Sequence, residues 1–133
     1  MAPDEPPDVV TLRCNEGVDR LLRRAVARIE ALGLDVFEVI DHSGDAADLG
    51  LVMPDAKLVL VANPIGVAEL MLAHPHIAND LPLKLLICED KDGEVSLSYN
   101  SPAFLANRYR LTDSEADALR VVETIALQLC GNP

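Results

Sequence analysis

The chain has very few aromatic residues. Among its 133 residues there is no tryptophan, and the aromatic side chains are Phe37, Tyr99, Phe104 and Tyr109. Because half of the residues are nevertheless apolar, the core must be built mainly from aliphatic side chains. Proteins that bind single-stranded nucleic acid usually stack the bases on aromatic rings, and this chain lacks such a platform.

Positive charge is scarce as well. The chain carries 11 Lys and Arg residues against 22 Asp and Glu residues, which gives a net charge of -11. Such a field repels phosphate and argues against a nucleic-acid partner. No segment reaches the ~20 apolar residues of a membrane span, and the N-terminal MAPDEPPD has neither the basic nor the apolar region of a signal peptide. We therefore expect a soluble, cytoplasmic protein without a membrane partner.

Cysteine and catalytic motifs are equally sparse. Cys14, Cys88 and Cys130 are far apart and form no CxxC pair, so neither a zinc knuckle nor a thioredoxin-type site is indicated. We expect all three to be reduced, buried structural thiols. The chain has no P-loop, no GxGxxG after a strand, no GxSxG and no HExxH. The sequence predicts no cofactor and no defined metal site.

The stretch from Leu81 to Asn100 predicts a β-hairpin that organises the fold. Its two strands alternate in polarity, and the Asp92-Gly93 pair supplies the positive φ of a tight turn. Strands and helices alternate before the hairpin, and two helices follow it. The predicted order of elements is therefore β-α-β-α-β-α-β-β-α-α. We predict a two-layer α/β sandwich (α+β) whose mixed, mostly antiparallel sheet of about five strands has helices on one face. Residues 1–8 are predicted to be a disordered, acidic, proline-rich tail, and residues 9–133 a single domain.

Local signals place the helix starts. Asn15 is predicted to cap a first helix over 16–32, with Gly33 as its left-handed stop. Asn63-Pro64 and Ser101-Pro102 each combine a capping residue with a proline at the first helical position. Thr112 and Glu115 have the spacing of a capping box, which predicts one long terminal helix up to Gly131. The apolar run of residues 57–62 predicts a central strand buried on both faces.

Several short sequence motifs, in this order and spacing, resemble those of one known family. They are Val39-Ile40-Asp41-His42, Asn63-Pro64 with Leu70-Met71, Asp80-Leu81-Pro82-Leu83-Lys84, Glu89-Asp90 with Gly93, and Tyr99-Asn100 with Arg108. Together they are similar to the domain of unknown function 302 family over about Thr11 to Arg110. The resemblance implies a compact α/β domain that self-associates, and it brings no settled activity.

Departures from the family pattern indicate what the cleft of this chain binds. Val61-Ala62 stand where the family often has Phe-Gly, Val67-Ala68 where it has Gly-Thr, and Tyr109 where it has His. The resemblance thus implies a cleft that has become more apolar and serves binding. We predict a ligand-binding or accessory domain, a homodimer with a small-molecule or protein partner. The residues expected to line the cleft are Asp41, His42, Asn63, Met71, Lys84, Tyr99 and Tyr109, and Arg108 is a further candidate ligand contact.

Two other functions stay open at this level. One is a small enzyme in which His42, beside Asp41, is the general acid or base and Tyr109 or Lys84 polarises the substrate. The other is metal or haem handling through His42, His74, His76 or Cys88. Whether the chain is an enzyme is left undecided by the sequence.

Charged residues outside the cleft have structural interpretations. Arg20, Arg24 and Arg28 follow one another at helical spacing and predict either a docking stripe for an acidic partner or a solvated face with local pairs such as Glu16 with Arg20. Asp80 and Lys84 flank the start of the central hairpin strand, where the amine of Lys84 is expected to make a structural pair with a carboxylate or to reach the cleft.

Overall fold

The fold is built on a five-stranded sheet. The computed structural model describes residues 7–131, so most of the predicted tail, residues 1–6, lies outside the described residues. The strands lie in the order β1-β5-β4-β3-β2, and each neighbouring pair is antiparallel. Their bounds are β1 Val9–Cys14, β2 Asp35–Asp41, β3 Ala56–Ala62, β4 Leu83–Glu89 and β5 Val95–Asn100. The α/β class and the predicted order of elements are confirmed, and the sheet is wholly antiparallel rather than mixed.

Helices connect the strands and cover one face of the sheet. The α-helices are α1 Val18–Ala31, α2 His42–Asp48, α3 Pro64–Ala73, α4 Pro102–Tyr109, α5 Asp113–Ala116 and α6 Val121–Cys130. Short 3-10 helices span Pro75–Asp80 and Asp117–Leu119. Helices α1 and α6 pack side by side against the strands, so the buried core lies between these two helices and the sheet.

The core follows the alternation of the strands. Val59, Leu85, Ile87 and Leu97 point toward the helices and are fully buried. Helix α1 supplies one stripe to this core at helical spacing, as the sequence predicts: Val18, Leu21, Ala25 and Ile29. On the opposite face Ala56 is buried, but the other side chains of β3 and β4 are only half-buried. The prediction of a strand buried on both faces is therefore wrong for β3, because the described helices cover only one face.

The hairpin between β4 and β5 closes as the sequence predicts. Gly93 has φ +81°, a conformation that side chains other than glycine rarely adopt. The carboxylate of Asp90 accepts hydrogen bonds from the backbone N–H groups of Asp92 (2.8 Å) and Glu94 (3.0 Å). Turn chemistry at these positions fixes the register that brings Ile87 opposite Leu97.

Two helix predictions need correction. Helix α1 begins at Val18 after an extended Gly17, which has no side chain to form a cap, so Asn15 is not its capping residue. The predicted long terminal helix is divided into α5, a 3-10 turn and α6. The turn buries Leu119 completely, and α6 then directs Val122, Ile125 and Ala126 into the core.

An irregularity interrupts the pairing of the edge strand β2. Val36 pairs with Val61 and Glu38 with Leu60, so Phe37 is an additional residue between them. This is a β-bulge. The side chain of Phe37 is 67% exposed.

A disulfide contradicts one prediction about the cysteines. Cys14 at the end of β1 is bonded to Cys130 at the end of α6, with their Cα atoms 5.1 Å apart. The expectation of three reduced thiols is therefore wrong for these two residues, which are 116 positions apart in the sequence and meet only in the fold. Cys88 is free and half-buried.

Candidate functional site

An apolar cavity of about 300 Å³ opens where β3 ends and β4 begins. One wall is helix α3, and another is the segment that leads from the 3-10 helix Pro75–Asp80 into β4. The residues lining the cavity are Val61, Ala62, Asn63, Pro64, Val67, Met71, Ala78, Leu81, Pro82 and Leu83. None of these side chains is ionisable, so the cavity is suited to an uncharged apolar group.

Asn63 and Pro64 build one wall through the start of α3. The side-chain oxygen of Asn63 accepts a hydrogen bond from the backbone N–H of Gly66 (3.4 Å), and Pro64 occupies the first helical turn. This confirms the predicted helix start. Val67 and Met71 lie one turn apart, so they share a face of α3 and both line the cavity.

A polar cluster lies next to the opposite wall. The hydroxyl of Tyr109 donates a hydrogen bond to the carboxylate of Asp80, and the guanidinium of Arg108 lies 3.7 Å from the same carboxylate. Arg108 also lies 5.6 Å from the centre of the Tyr109 ring, within cation–π range. The hydrogen bond to Asp80 raises the pKa of Tyr109. Because Asp80 directly precedes Leu81, this cluster fixes α4 to the segment that forms the cavity wall.

His42 does not join this site. Asp41 pairs with Lys57 at the start of β3, whereas Asn63 follows the end of the same strand. At ~3.3 Å per residue, the six residue steps from Lys57 to Asn63 span about 20 Å. The predicted convergence of His42, Asn63 and Tyr109 in one cleft is therefore wrong for His42, which is exposed as the first residue of α2.

The carboxylate of Asp41 makes contacts that hold the end of β2 to β3 and α2. Its carboxylate lies 2.8 Å from the amine of Lys57 and accepts hydrogen bonds from the Ser43 hydroxyl and the Gly44 backbone N–H. The bond to Lys57 is the largest of the effects that hold the pKa of Asp41 well below its ordinary value. Asp41 thus caps α2 as an ionised carboxylate, and a catalytic role for it or for His42 stays a prediction.

Two further predicted cleft residues lie elsewhere. Tyr99 is 5% exposed on the helix-covered face of the sheet, where burial raises its pKa. Lys84 lies on the opposite face of β4, because its neighbours Leu83 and Leu85 both point into the core. Of the predicted cleft residues, Asn63 and Met71 line the cavity, while Asp41, His42, Lys84, Tyr99 and Tyr109 do not. Periodicity alone could not assign these faces before the strand order was known.

The histidines considered for metal binding are also separated. The imidazole of His74 lies 2.8 Å from the carboxylate of Glu115, which links the end of α3 to the capping box before α5. The pKa of Glu115 is lowered, first by the backbone N–H of Thr112 and then by His74. Across residues 7–131, no three His, Cys, Asp or Glu side chains meet in a metal-binding group.

The arginine stripe of α1 packs toward the end of α6. Arg20 lies 3.3 Å from Glu16, which confirms the predicted local pair, and Arg24 contacts the same carboxylate. Arg24 also approaches the backbone carbonyl of Leu129 (3.4 Å), and Arg28 donates to Gln128. Much of the stripe therefore serves contacts within the chain.

Comparison with known proteins gives the family of this chain and a solved structure with a similar fold. The family model described as domain of unknown function DUF302 matches residues 10–128. The chain belongs to the DUF302 family. A crystal structure of an uncharacterized conserved DUF302 protein from Bacillus stearothermophilus is similar with a TM-score of 0.78 and 15% sequence identity, over 94% of this chain and 97% of that chain. This likeness supports the fold of the DUF302 domain and says nothing about its ligand.

Curated relatives of this DUF302 chain are longer proteins. The fluoride-specific ion channel FluC 1 of Brucella suis biovar 1 is 34% identical over 116 residues, which are 87% of this chain and 46% of that protein. The protein of the same name from Brucella abortus biovar 1 is also 34% identical over 116 residues, which are 43% of its length. The chain thus spans less than half of these relatives. Within residues 7–131, no helix has the length and apolarity that crossing a bilayer requires.

Proposed function

We propose that this DUF302 chain is an accessory domain that binds a small uncharged apolar ligand. The observation that carries the proposal is the cavity of about 300 Å³ between α3 and the start of β4, whose lining has no ionisable side chain. Ligand pockets in proteins start at about this volume and are mostly apolar, with a few polar groups that orient the ligand. Here the amide of Asn63 and nearby backbone groups fill that second role.

The curated relatives support an accessory role. Two Brucella proteins named fluoride-specific ion channels include a region similar to this chain in less than half of their length. A membrane span needs about 20 consecutive apolar residues, and the described helices of this chain do not provide one. We infer that the DUF302 region works beside a partner protein, which in those relatives is the remainder of the same polypeptide.

Filling the cavity should weaken ligand binding. We expect Val67→Trp to weaken binding of an uncharged fluorescent probe, N-phenyl-1-naphthylamine, about tenfold or more, because the indole occupies the volume that the ring system needs. Leu72→Trp is the matched control. Leu72 lies on the same helix but is 84% exposed, so the probe should bind this variant as it binds the wild-type chain.

The outcomes of this titration are distinct. A wild-type chain that fails to enhance probe fluorescence would contradict the proposal, as would equal affinity in the Val67 and Leu72 variants. Thermal unfolding of both variants checks that the fold is retained. Because the natural chain has no tryptophan, emission of the introduced indole also reports whether position 67 is shielded from water and position 72 is not.

The homodimer and the cellular location are separate proposals. We propose that the domain acts as a homodimer, and the half-exposed apolar residues on the uncovered face of the sheet support this assembly. A cytoplasmic location stays a prediction. The disulfide between Cys14 and Cys130 is a feature more typical of oxidising compartments, so thiol alkylation in intact cells followed by mass spectrometry would test the location directly.

A further inference from the structure

The face of the sheet opposite the helices carries a regular pattern of side chains. Residues paired directly across antiparallel strands point to the same face. One row runs across β4, β3 and β2 through Leu86, Leu58 and Ile40. All three are half-buried, and the described helices pack on the other side of the sheet. This outer face therefore has an aliphatic centre that no described helix covers.

The neighbouring row on the outer face carries two opposite charges. Lys84 of β4 pairs with Leu60 of β3, and Leu60 pairs with Glu38 of β2. Strands lie about 4.8 Å apart, so Lys84 and Glu38 are separated by about 10 Å and cannot form a direct ion pair with each other. Neither residue takes part in an ion pair with any other described residue. The row thus presents a cation and an anion on either side of a leucine.

We propose that the outer face binds the outer face of a second copy of this chain, with the two-fold axis running along β3. This assignment rests on the proposed homodimer and identifies its surface. Rotation about that axis places Leu60 against the partner's Leu60 and Leu58 against the partner's Leu58. It also places β4 over the β2 of the partner. Lys84 then faces the partner's Glu38, and the same ion pair forms a second time on the other side of the axis.

Charge complementarity favours a second copy over other occupants. A two-fold interface requires a surface that complements itself, and the order cation, leucine, anion does so without a further residue. The same rotation places Leu86 against the partner's Ile40 and closes the aliphatic centre. Two sheets packed face to face keep their strands within about 30° of each other, a geometry that an axis along β3 allows.

Charge reversal tests the proposal. Lys84→Glu alone, or Glu38→Lys alone, places like charges opposite each other at two positions of the dimer. We expect each single variant to raise the dimer Kd about a hundredfold, since the two-fold axis applies every change twice. The double variant K84E/E38K restores both pairs with reversed sign and should recover a Kd within about threefold of the wild-type value. Sedimentation velocity across a concentration series measures all four.

Two single variants control for net charge. Lys91→Glu at the hairpin turn and Glu69→Lys on α3 make the same changes of charge away from the outer face, and each should leave the Kd unchanged. A monomeric wild-type chain would overturn the assignment, as would single variants that dimerise normally or a double variant that fails to recover. Circular dichroism confirms that the variants are folded.

Failure of this test and failure of the proposed ligand function are distinguishable. The probe titration with Val67→Trp measures ligand binding in the cavity, whereas sedimentation measures dimerisation through the outer face. If the chain forms a dimer but its Kd is unchanged by substitution of Lys84 and Glu38, the homodimer proposal is retained and only the assignment of this surface is refuted.

Discussion

At the scale of single residues, Asp41 illustrates how one carboxylate organises the end of a strand. It lies opposite Lys57 in the sheet, and its side chain accepts from the Gly44 backbone N–H as the cap of α2. A Cβ added at position 44 would lie 2.8 Å from the carboxyl carbon of Asp41, so a larger residue there would displace this carboxylate. One side chain therefore joins β2, β3 and α2.

Replacing Asp41 by Asn should destabilise the chain in a pH-dependent manner. The pKa of Asp41 is depressed below its ordinary 3.8, so its ion pair stabilises the fold above that pH and the stabilisation is lost as pH falls through the folded value. The pKa of Lys57 is raised above 10.5, so the same stabilisation is lost as pH rises through that higher value. We expect the Tm of D41N to lie a few degrees below wild type near neutral pH, and the difference to shrink steadily as pH falls below 3.8 toward the depressed pKa of the folded state.

Thermal unfolding at several pH values checks this prediction. Asn retains the capping acceptor, so the experiment isolates the ion pair. D48N, at the exposed end of α2, is the control and should track the wild-type curve. A constant Tm difference down to pH 2 would mean that the Asp41 charge is not the cause.

At the scale of elements, capping chemistry could be predicted from the sequence because it depends on neighbours within four residues. Asn63, Ser101 and Thr112 each accept a backbone N–H at the helix start assigned to them. The same reasoning failed at Asn15, where an extended Gly17 intervenes. It also missed the 3-10 helix Pro75–Asp80, whose burial of Ile77 depends on packing that no local pattern encodes.

The capping box before α5 gives a direct test of local stabilisation. The hydroxyl of Thr112 accepts from the Glu115 N–H (3.2 Å), and the Glu115 carboxylate accepts from the Thr112 N–H (2.9 Å). We expect Thr112→Ala to lower the free energy of unfolding by about 1 kcal/mol, the usual cost of losing such a cap. Urea denaturation measures it. Ser114→Ala, within the same exposed turn, should change stability much less, and an equal loss in both variants would refute the assignment.

At the scale of the whole molecule, the strand order is what sequence reasoning could not supply. Strand β1 pairs with β5, a partner more than 80 residues away, and nothing local specifies that contact. The cavity likewise depends on contacts between residues that are far apart in the sequence. Asn63 and Met71 could be identified from the helix start at Asn63-Pro64, but Leu81 and Pro82 join them only through the arrangement of β4 beside β3.

Reduction of the disulfide should weaken the global fold. Closing a loop of 116 residues restricts the unfolded chain, and chain-entropy reasoning puts the stabilisation at about 4–5 kcal/mol. We expect the double variant C14S/C130S, or the wild-type chain in reductant, to show a correspondingly lower denaturation midpoint. Cys88→Ser is the control, because Cys88 is free. Insensitivity of the wild-type midpoint to reductant would show that the bond adds no stability.

The bulge at Phe37 should limit aggregation through the edge strand at high protein concentration. An antiparallel sheet leaves an unpaired backbone ladder along each outermost strand, and such ladders template fibrous aggregation. The additional residue in β2 breaks the regular spacing of donors and acceptors that an incoming strand would need. The chain should therefore resist growing into filaments by way of β2, even at concentrations where its apolar surfaces meet frequently.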